Sequence, residues 1–266
     1  MPALLLLLLS QTELSVKAGA PYGGAISSIV WHGKEFVDSF DHGRELQSAL
    51  SFDGYGECYN PTEGGSEIDG SKLTTTSELL SSRTTSTTLE SRTDMAFWMI
   101  PGQKYLRDCG SRKGVRVARN QLLKAGYILE KKVTLRGRNL LFDLNFHVPN
   151  PHESGTFEVL TGYMPEAFAT PLILKNGTLE PISWGPGEQR YPIVLSTPDR
   201  QSAMGASCED DNGKITYGRF EFFNQHVVKW NAVNRKTNIA PGDYRYRCFV
   251  AIGTAEDVRA ALSKPE

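Results

Sequence analysis

The chain has 266 residues, 39% of them apolar and 22% charged, a balance that supplies one large globular core. Its 29 basic and 30 acidic residues give a formal net charge of -1. That leaves no basic surplus for nucleic acid or an anionic membrane, so neither is expected as a partner.

The leucine run Leu4–Leu9 is too short to span a bilayer. It reads either as the core of a leader, with Ala18-Gly19-Ala20 as a cleavage site, or as a β-segment. No positive side chain precedes it, and Thr12 to Lys17 alternates like a strand, so the β-segment is expected. Extracellular or periplasmic placement is favoured over cytoplasmic. Next come a turn at Ala20–Gly24 and a hairpin, Ala25–Trp31 with Glu35–Val37 around His32-Gly33. The Ser/Thr-rich Leu73–Arg92 reads as solvent-facing strands rather than linker, because leucines recur inside it. Met95–Ile100 reads as a buried strand. Tyr127–Leu135 and Leu140–Val148 form a second hairpin around Arg136–Asn139. Further strands are expected over Phe157–Tyr163, Pro192–Ser196, Ala203–Ser207, Tyr217–Phe223, Val227–Val233 and Tyr244–Gly253. Only Ala255–Ser263 reads as helix, with Thr254 as its N-cap. Many short strands with no βαβ alternation predict an all-β sandwich or barrel, as one domain over 1–266.

Cys58, Cys109, Cys208 and Cys248 contain no CxxC pair, so zinc and thioredoxin-like chemistry lack local support. Two disulfides and scattered buried thiols both stay open. The histidines show no HxH or HExxH spacing, and Glu57, Glu63, Glu67 and Asp69 do not fit an EF-hand loop. No metal site and no cofactor are expected. P-loop, GxGxxG and GxSxG motifs are absent from the sequence.

The stretch Phe40–Gly70 concentrates the chemistry. Glycines keep it from being regular structure, and acids, amides and rings alternate along it, as a polyol site requires. His42, Arg44 and Gln47 form a first cluster; Arg44 presents a planar fork to a hydroxyl or a uronate, or else pairs with Asp41 or Glu45. Glu57, Tyr59, Asn60 and Glu63 form a second, with Tyr59 as a ring platform and either glutamate as acid or base. Downstream loops offer Tyr163, Glu166, Trp184, Glu188 and Gln189, with Lys229 and Trp230 on a strand. His32, His152 and His226 show no acidic partner in sequence. His42 and His147 are therefore the candidate catalytic histidines.

The run GGAISSIVWHGKEFVDSFDHGRELQ resembles the start of proteins with the galactose mutarotase-like β-supersandwich, where a hairpin leads to an arginine facing the sugar. Arg44 stands at that position. Tyr59-Asn-Pro-Thr-Glu-Gly-Gly65 occupies the loop where aldose epimerases carry a catalytic histidine before Gly-Gly. FEVLTGYMPEAF, ISWGPGEQRYP, KWNAVNR and the closing PGDYRYRCFVAIGT are also similar to members of this superfamily. The first loop holds no histidine here, His147 stands near the second, and Asp243 replaces a frequent glutamate. The resemblance therefore implies the fold more firmly than the reaction.

It implies a sugar enzyme working by general acid and base at or near the anomeric carbon. Glu63 or Glu166 would be base and His42 or His147 acid. Arg44, Gln47, Glu57, Tyr59, Asn60, Tyr163, Trp184, Glu188 and Gln189 would bind a mono- or oligosaccharide. Two alternatives remain: a non-catalytic carbohydrate-binding module, and a polysaccharide lyase or glycoside hydrolase on the same fold.

Overall fold

The computed structural model describes residues 6–11, 14–105, 109–185, 187–209 and 214–264. Leu4, Leu5, Thr12, Glu13 and Pro186, which belong to expectations above, lie outside them. In chain order the first strands are β1 (Leu6–Gln11), β2 (Leu14–Gly19), β3 (Ile26–Trp31), β4 (Lys34–Glu35), β5 (Leu46–Phe52) and β6 (Pro61–Thr62). Next come β7 (Glu78–Thr84), β8 (Thr88–Phe97), β9 (Lys124–Arg136), β10 (Asn139–Val148), β11 (His152–Pro165) and β12 (Thr170–Lys175). The last are β13 (Thr178–Pro181), β14 (Ile193–Ser196), β15 (Ala203–Glu209), β16 (Thr216–Phe222), β17 (Val227–Ile239) and β18 (Gly242–Gly253), followed by helix α1 (Ala255–Leu262).

All pairings are antiparallel and fall into two layers. A front sheet runs β1-β2-β3-β5-β11-β17-β16. A back sheet runs β7-β8-β9-β10-β18-β15-β14-β12-β13. The short β6 pairs with both β5 and β8 and joins the layers at one edge.

Period-two alternation drives the packing. Along β10, Leu140, Phe142, Leu144, Phe146 and Val148 are buried while Asp143, Asn145 and His147 face out. Leu46, Leu50 and Phe52 of β5, Phe157 of β11 and Trp230 of β17 meet these residues in one core. Gly162 makes room for Trp230: a Cβ there would sit 2.5 Å from the indole. Both expected hairpins form. His32 and Gly33, both at positive φ, make the tight turn between β3 and β4. Gly137-Arg138 joins β9 to β10. The expected β-segment forms too, as β1 against β2. Leu73–Arg92 yields β7 and the start of β8, but its first five residues form a loop. The strand expected over Met95–Ile100 ends at Phe97, where the chain turns to form a wall described below.

Helix α1 is capped by Thr254 and Asp257 and seats Val258 and Leu262 on the back sheet beside Val194 and Ala203. No helix among the described residues is long and apolar enough to cross a membrane. Cys208 and Cys248, opposite one another on β15 and β18, form a disulfide. Cys58 and Cys109 are buried thiols whose sulfurs lie 2.8 Å apart.

Candidate functional site

A cleft of about 1050 Å³ opens on the outer face of the front sheet. Strand alternation builds its floor. Leu50, Phe157, Val228 and Trp230 point into the core, so Ala49, Glu158, Val227 and Lys229 point the other way. A β-bulge in β11 buries Val159 and Leu160 together and returns Thr161 and Tyr163 to the cleft side. Two loops and two turns raise the walls: 41–44, 98–105, the short helical turn Gly56–Tyr59, and 222–225.

Glu158 sits at the centre of the floor. Its Oε2 lies 3.3 Å from Lys229 Nζ and accepts from the Thr161 hydroxyl at 2.7 Å; its Oε1 accepts from Asn231 Nδ2 at 3.2 Å. Burial alone would raise this carboxyl. Lys229 and the hydrogen bonds overcome that and hold it below the usual carboxylate range. Burial acts against the Lys229 charge, yet Glu158 and the neighbouring Tyr163 hold its pKa above the ordinary lysine value. The ammonium also lies 5.0 Å from the Tyr163 ring centre and 5.6 Å from that of Phe220.

Glu57 has the opposite surroundings. Gly56, at φ 55, lets its turn pack against the Cys109 carbonyl, where a side chain would collide. The Glu57 amide donates to that carbonyl at 2.9 Å, which fixes the carboxyl in the wall. Burial raises its pKa; the Tyr105 hydroxyl and the Lys229 charge pull it down but do not win. Its Oε2 is buried without a hydrogen-bond partner. Tyr105 is itself pushed up, by burial and by Glu57. One cleft thus holds two carboxyls whose surroundings shift their pKa values in opposite directions, Glu158 down and Glu57 up.

Of the residues named from the sequence, Arg44, Gln47, Glu57, Asn60 and Tyr163 line this cleft. Arg44 is not free. Its Nε lies 3.1 Å from Asp41 and its Nη2 donates to Gln225 at 2.7 Å. Gln47 accepts from the Gly64 amide at 2.8 Å and donates to the His42 carbonyl at 3.3 Å. Asn60 accepts from the Thr62 hydroxyl at 2.6 Å.

The other expected residues do not line it. Glu63 is sealed between the sheets, ion-paired with an equally buried Lys131 and accepting from the Ser48 amide. His42 is fully buried, its two ring nitrogens each 2.8 Å from a carbonyl oxygen, of Gly64 and Lys72. His147 faces out from the back sheet beside Asp243. Glu166 stands in the turn after β11, paired with His226 at 2.9 Å. Tyr59 stacks on Phe97 in the core, with ring centres 5.0 Å apart. Trp184 packs on the core and edge-on to Phe223. Glu188 holds Arg235 and the Thr216 hydroxyl, and Gln189 pairs through its backbone with Tyr217.

Two histidines read as lacking acidic partners have them. His152 Nδ1 lies 2.8 Å from Asp53, and His226 meets Glu166. In each pair the partner comes from a distant part of the chain. Glu158, Thr161, Trp98 and Tyr105 are among the lining residues absent from the sequence-based set, and Lys229 gains a central place. For Glu158 and Lys229 the signal is a charge flanked by core residues within a strand: Phe157-Glu-Val159 and Val228-Lys-Trp230. Among the described residues, no three His, Cys, Asp or Glu side chains converge to hold a metal ion.

No protein-family model and no curated protein sequence matches the chain. Solved structures do. An Escherichia coli K12 protein classed as an aldose 1-epimerase superposes with a TM-score of 0.55 at 9% identity, over 95% of this chain and 100% of that one. An α-mannosidase from Enterococcus faecalis V583 gives 0.56 at 12% identity, over 96% of this chain but 30% of the mannosidase. A 4-α-glucanotransferase from Thermococcus litoralis gives 0.54 at 8%, over 94% of this chain and 38% of that one. The chain therefore matches the whole of the first protein and one part of each of the other two. Identities this low establish a shared fold and leave the reaction open.

Proposed function

On a galactose mutarotase-like β-supersandwich, here in divergent form, we propose that the cleft over β5, β11 and β17 binds a sugar and moves protons at or beside its anomeric carbon. One observation carries this reading: two carboxyls in one cleft whose surroundings shift their acidities in opposite directions. Glu158, ionised, takes the proton of the anomeric hydroxyl. Glu57, protonated, gives its proton to the ring oxygen. The bond between C1 and the ring oxygen breaks, the aldehyde turns about the bond between C1 and C2, and the ring recloses on its other face. Ring closure returns both protons, so no cofactor is consumed. Lys229 keeps Glu158 ionised before the transfer. Arg44 and Asn60 orient hydroxyls, and Tyr163 covers the apolar face of the ring. The assignment of base to Glu63 or Glu166 and of acid to His42 or His147 rests on sequence alone. None of the four lines the cleft, which favours Glu158 and Glu57 in those roles.

A second reading, a module that only binds carbohydrate, is favoured by one feature. Arg44 and Gln47 spend their polar groups on the protein itself. Calorimetry with a panel of aldoses, run beside polarimetry of the same sugars, separates the two. Heat of binding together with faster mutarotation supports the enzyme. Binding with no change in mutarotation supports the module, and neither signal refutes both.

A further inference from the structure

We propose that the cleft carries a second subsite at its Arg44 end, built on Phe40 and Phe223, which takes the next unit of an oligosaccharide. The inference rests on the cleft being a sugar site and adds the length of ligand that it accepts.

Two phenylalanines are exposed among the described residues, Phe40 at 66% and Phe223 at 44%. They belong to two loops far apart in sequence, and Arg44 ties those loops together through its hydrogen bond to Gln225. Phe40 lines the cleft itself. The turn that carries Phe223 lends Asn224 and Gln225 to the same wall.

Each ring has one side-chain contact that orients it before any ligand arrives. The Phe40 amide donates to Asp38 Oδ1 at 3.0 Å, and the Arg44 guanidinium lies 5.2 Å from its ring centre. Phe223 stands edge-on to Trp184, with ring centres 6.2 Å apart. Single exposed apolar side chains are ordinary, as at Leu73 and Leu122, but these two are rings on loops tied together beside one cleft. A pyranose ring has a face of C–H groups that such a platform covers, and each contact that orients a ring beforehand lowers the entropy lost on binding.

Size points the same way. The cleft holds about 1050 Å³, while pockets for drug-sized ligands, which are larger than one hexose, run to roughly 300–1,000 Å³. Room for a second unit is therefore present, and the end that Phe40 and Arg44 line is where that unit would lie.

The test is calorimetry of the full chain with glucose, galactose and mannose and with the di-, tri- and tetrasaccharides of each. For the series that binds, the trisaccharide is expected to bind at least about tenfold tighter than the monosaccharide. In Phe40→Ala and in Phe223→Ala that ratio falls toward one. A ratio near one in the wild type overturns the proposal, as does a ratio left intact by both substitutions. Light scattering adds a further arm: if either substitution halves the particle mass, the rings seat another copy of the chain and the proposal fails. If no saccharide of any length binds, the sugar reading of the cleft fails as well, a result distinct from binding without length dependence.

Discussion

Glu158 Oε2 lies 3.3 Å from the Lys229 ammonium across the seam between β11 and β17, on the floor of the cleft. The pair is only partly sealed, with side chains 26% and 14% exposed, so it is stable yet within reach of a ligand. Removing the carboxylate while keeping its shape, as in Glu158→Gln, is expected to lower kcat/KM on the sugar at least ~100-fold, the usual contribution of a positioned base. Lys229→Met leaves the carboxylate without its counter-charge. The acidic limb of the pH–rate profile is then expected to move to higher pH. A pH–rate series on both variants checks this.

Glu57 gives the stability curve a recognisable slope. Its folded pKa is raised by burial, so the folded state holds this proton more tightly than the unfolded chain. Its contribution to stability is greatest below the unfolded carboxylate value and is lost as pH rises through the raised folded value. Glu158 is depressed, so its contribution is present above the unfolded value and lost as pH falls through the folded one. Glu57→Gln is therefore expected to gain stability over the wild type as pH rises, and Glu158→Gln to lose it. Urea midpoints across the acid-to-neutral range measure both slopes.

The Glu63–Lys131 pair belongs to the fold. Both side chains are buried, and Lys131 also donates to the Gly24 carbonyl at 2.8 Å. Lys131→Met leaves a buried carboxylate uncompensated and is expected to cost about 3–5 kcal/mol in chemical denaturation. For Glu63→Gln the loss should likewise appear in the unfolding midpoint. Lost turnover at unchanged stability would instead return Glu63 to the catalytic set.

Gly162 is a packing position, since a Cβ there would sit 2.5 Å from the Trp230 indole at the centre of the core. Gly162→Ala is expected to lower stability by about 1–3 kcal/mol. Because the shifted indole lies behind Tyr163 and Lys229, weaker sugar binding should accompany it. Denaturation and calorimetry on one sample show whether the two move together.

The fold was legible because alternation writes itself into short segments. Leu140 to Val148 announces its inner and outer faces, and His32-Gly33 announces its turn. Much of one cleft wall was legible as well, since Arg44, Glu57 and Asn60 crowd into one loop-rich stretch. The floor was not. Glu158 stands as a lone charge in an apolar strand and Lys229 groups only with the downstream candidates; the pairing of β11 with β17 is what makes them neighbours. His42 and Glu63 carry the right chemistry, but burial commits them to carbonyls and to a lysine. The Asp53–His152 contact spans 99 residues, and no local spacing encodes it.

Anomer exchange followed by NMR on free aldoses tests the central claim most directly, comparing the wild type with Glu57→Gln and Glu158→Gln at matched folded concentration. At least one aldose is predicted to interconvert its anomers faster with the wild type, and each substitution should remove most of that acceleration. Wild-type exchange no faster than in buffer for every sugar, or full acceleration in both variants, would contradict the account.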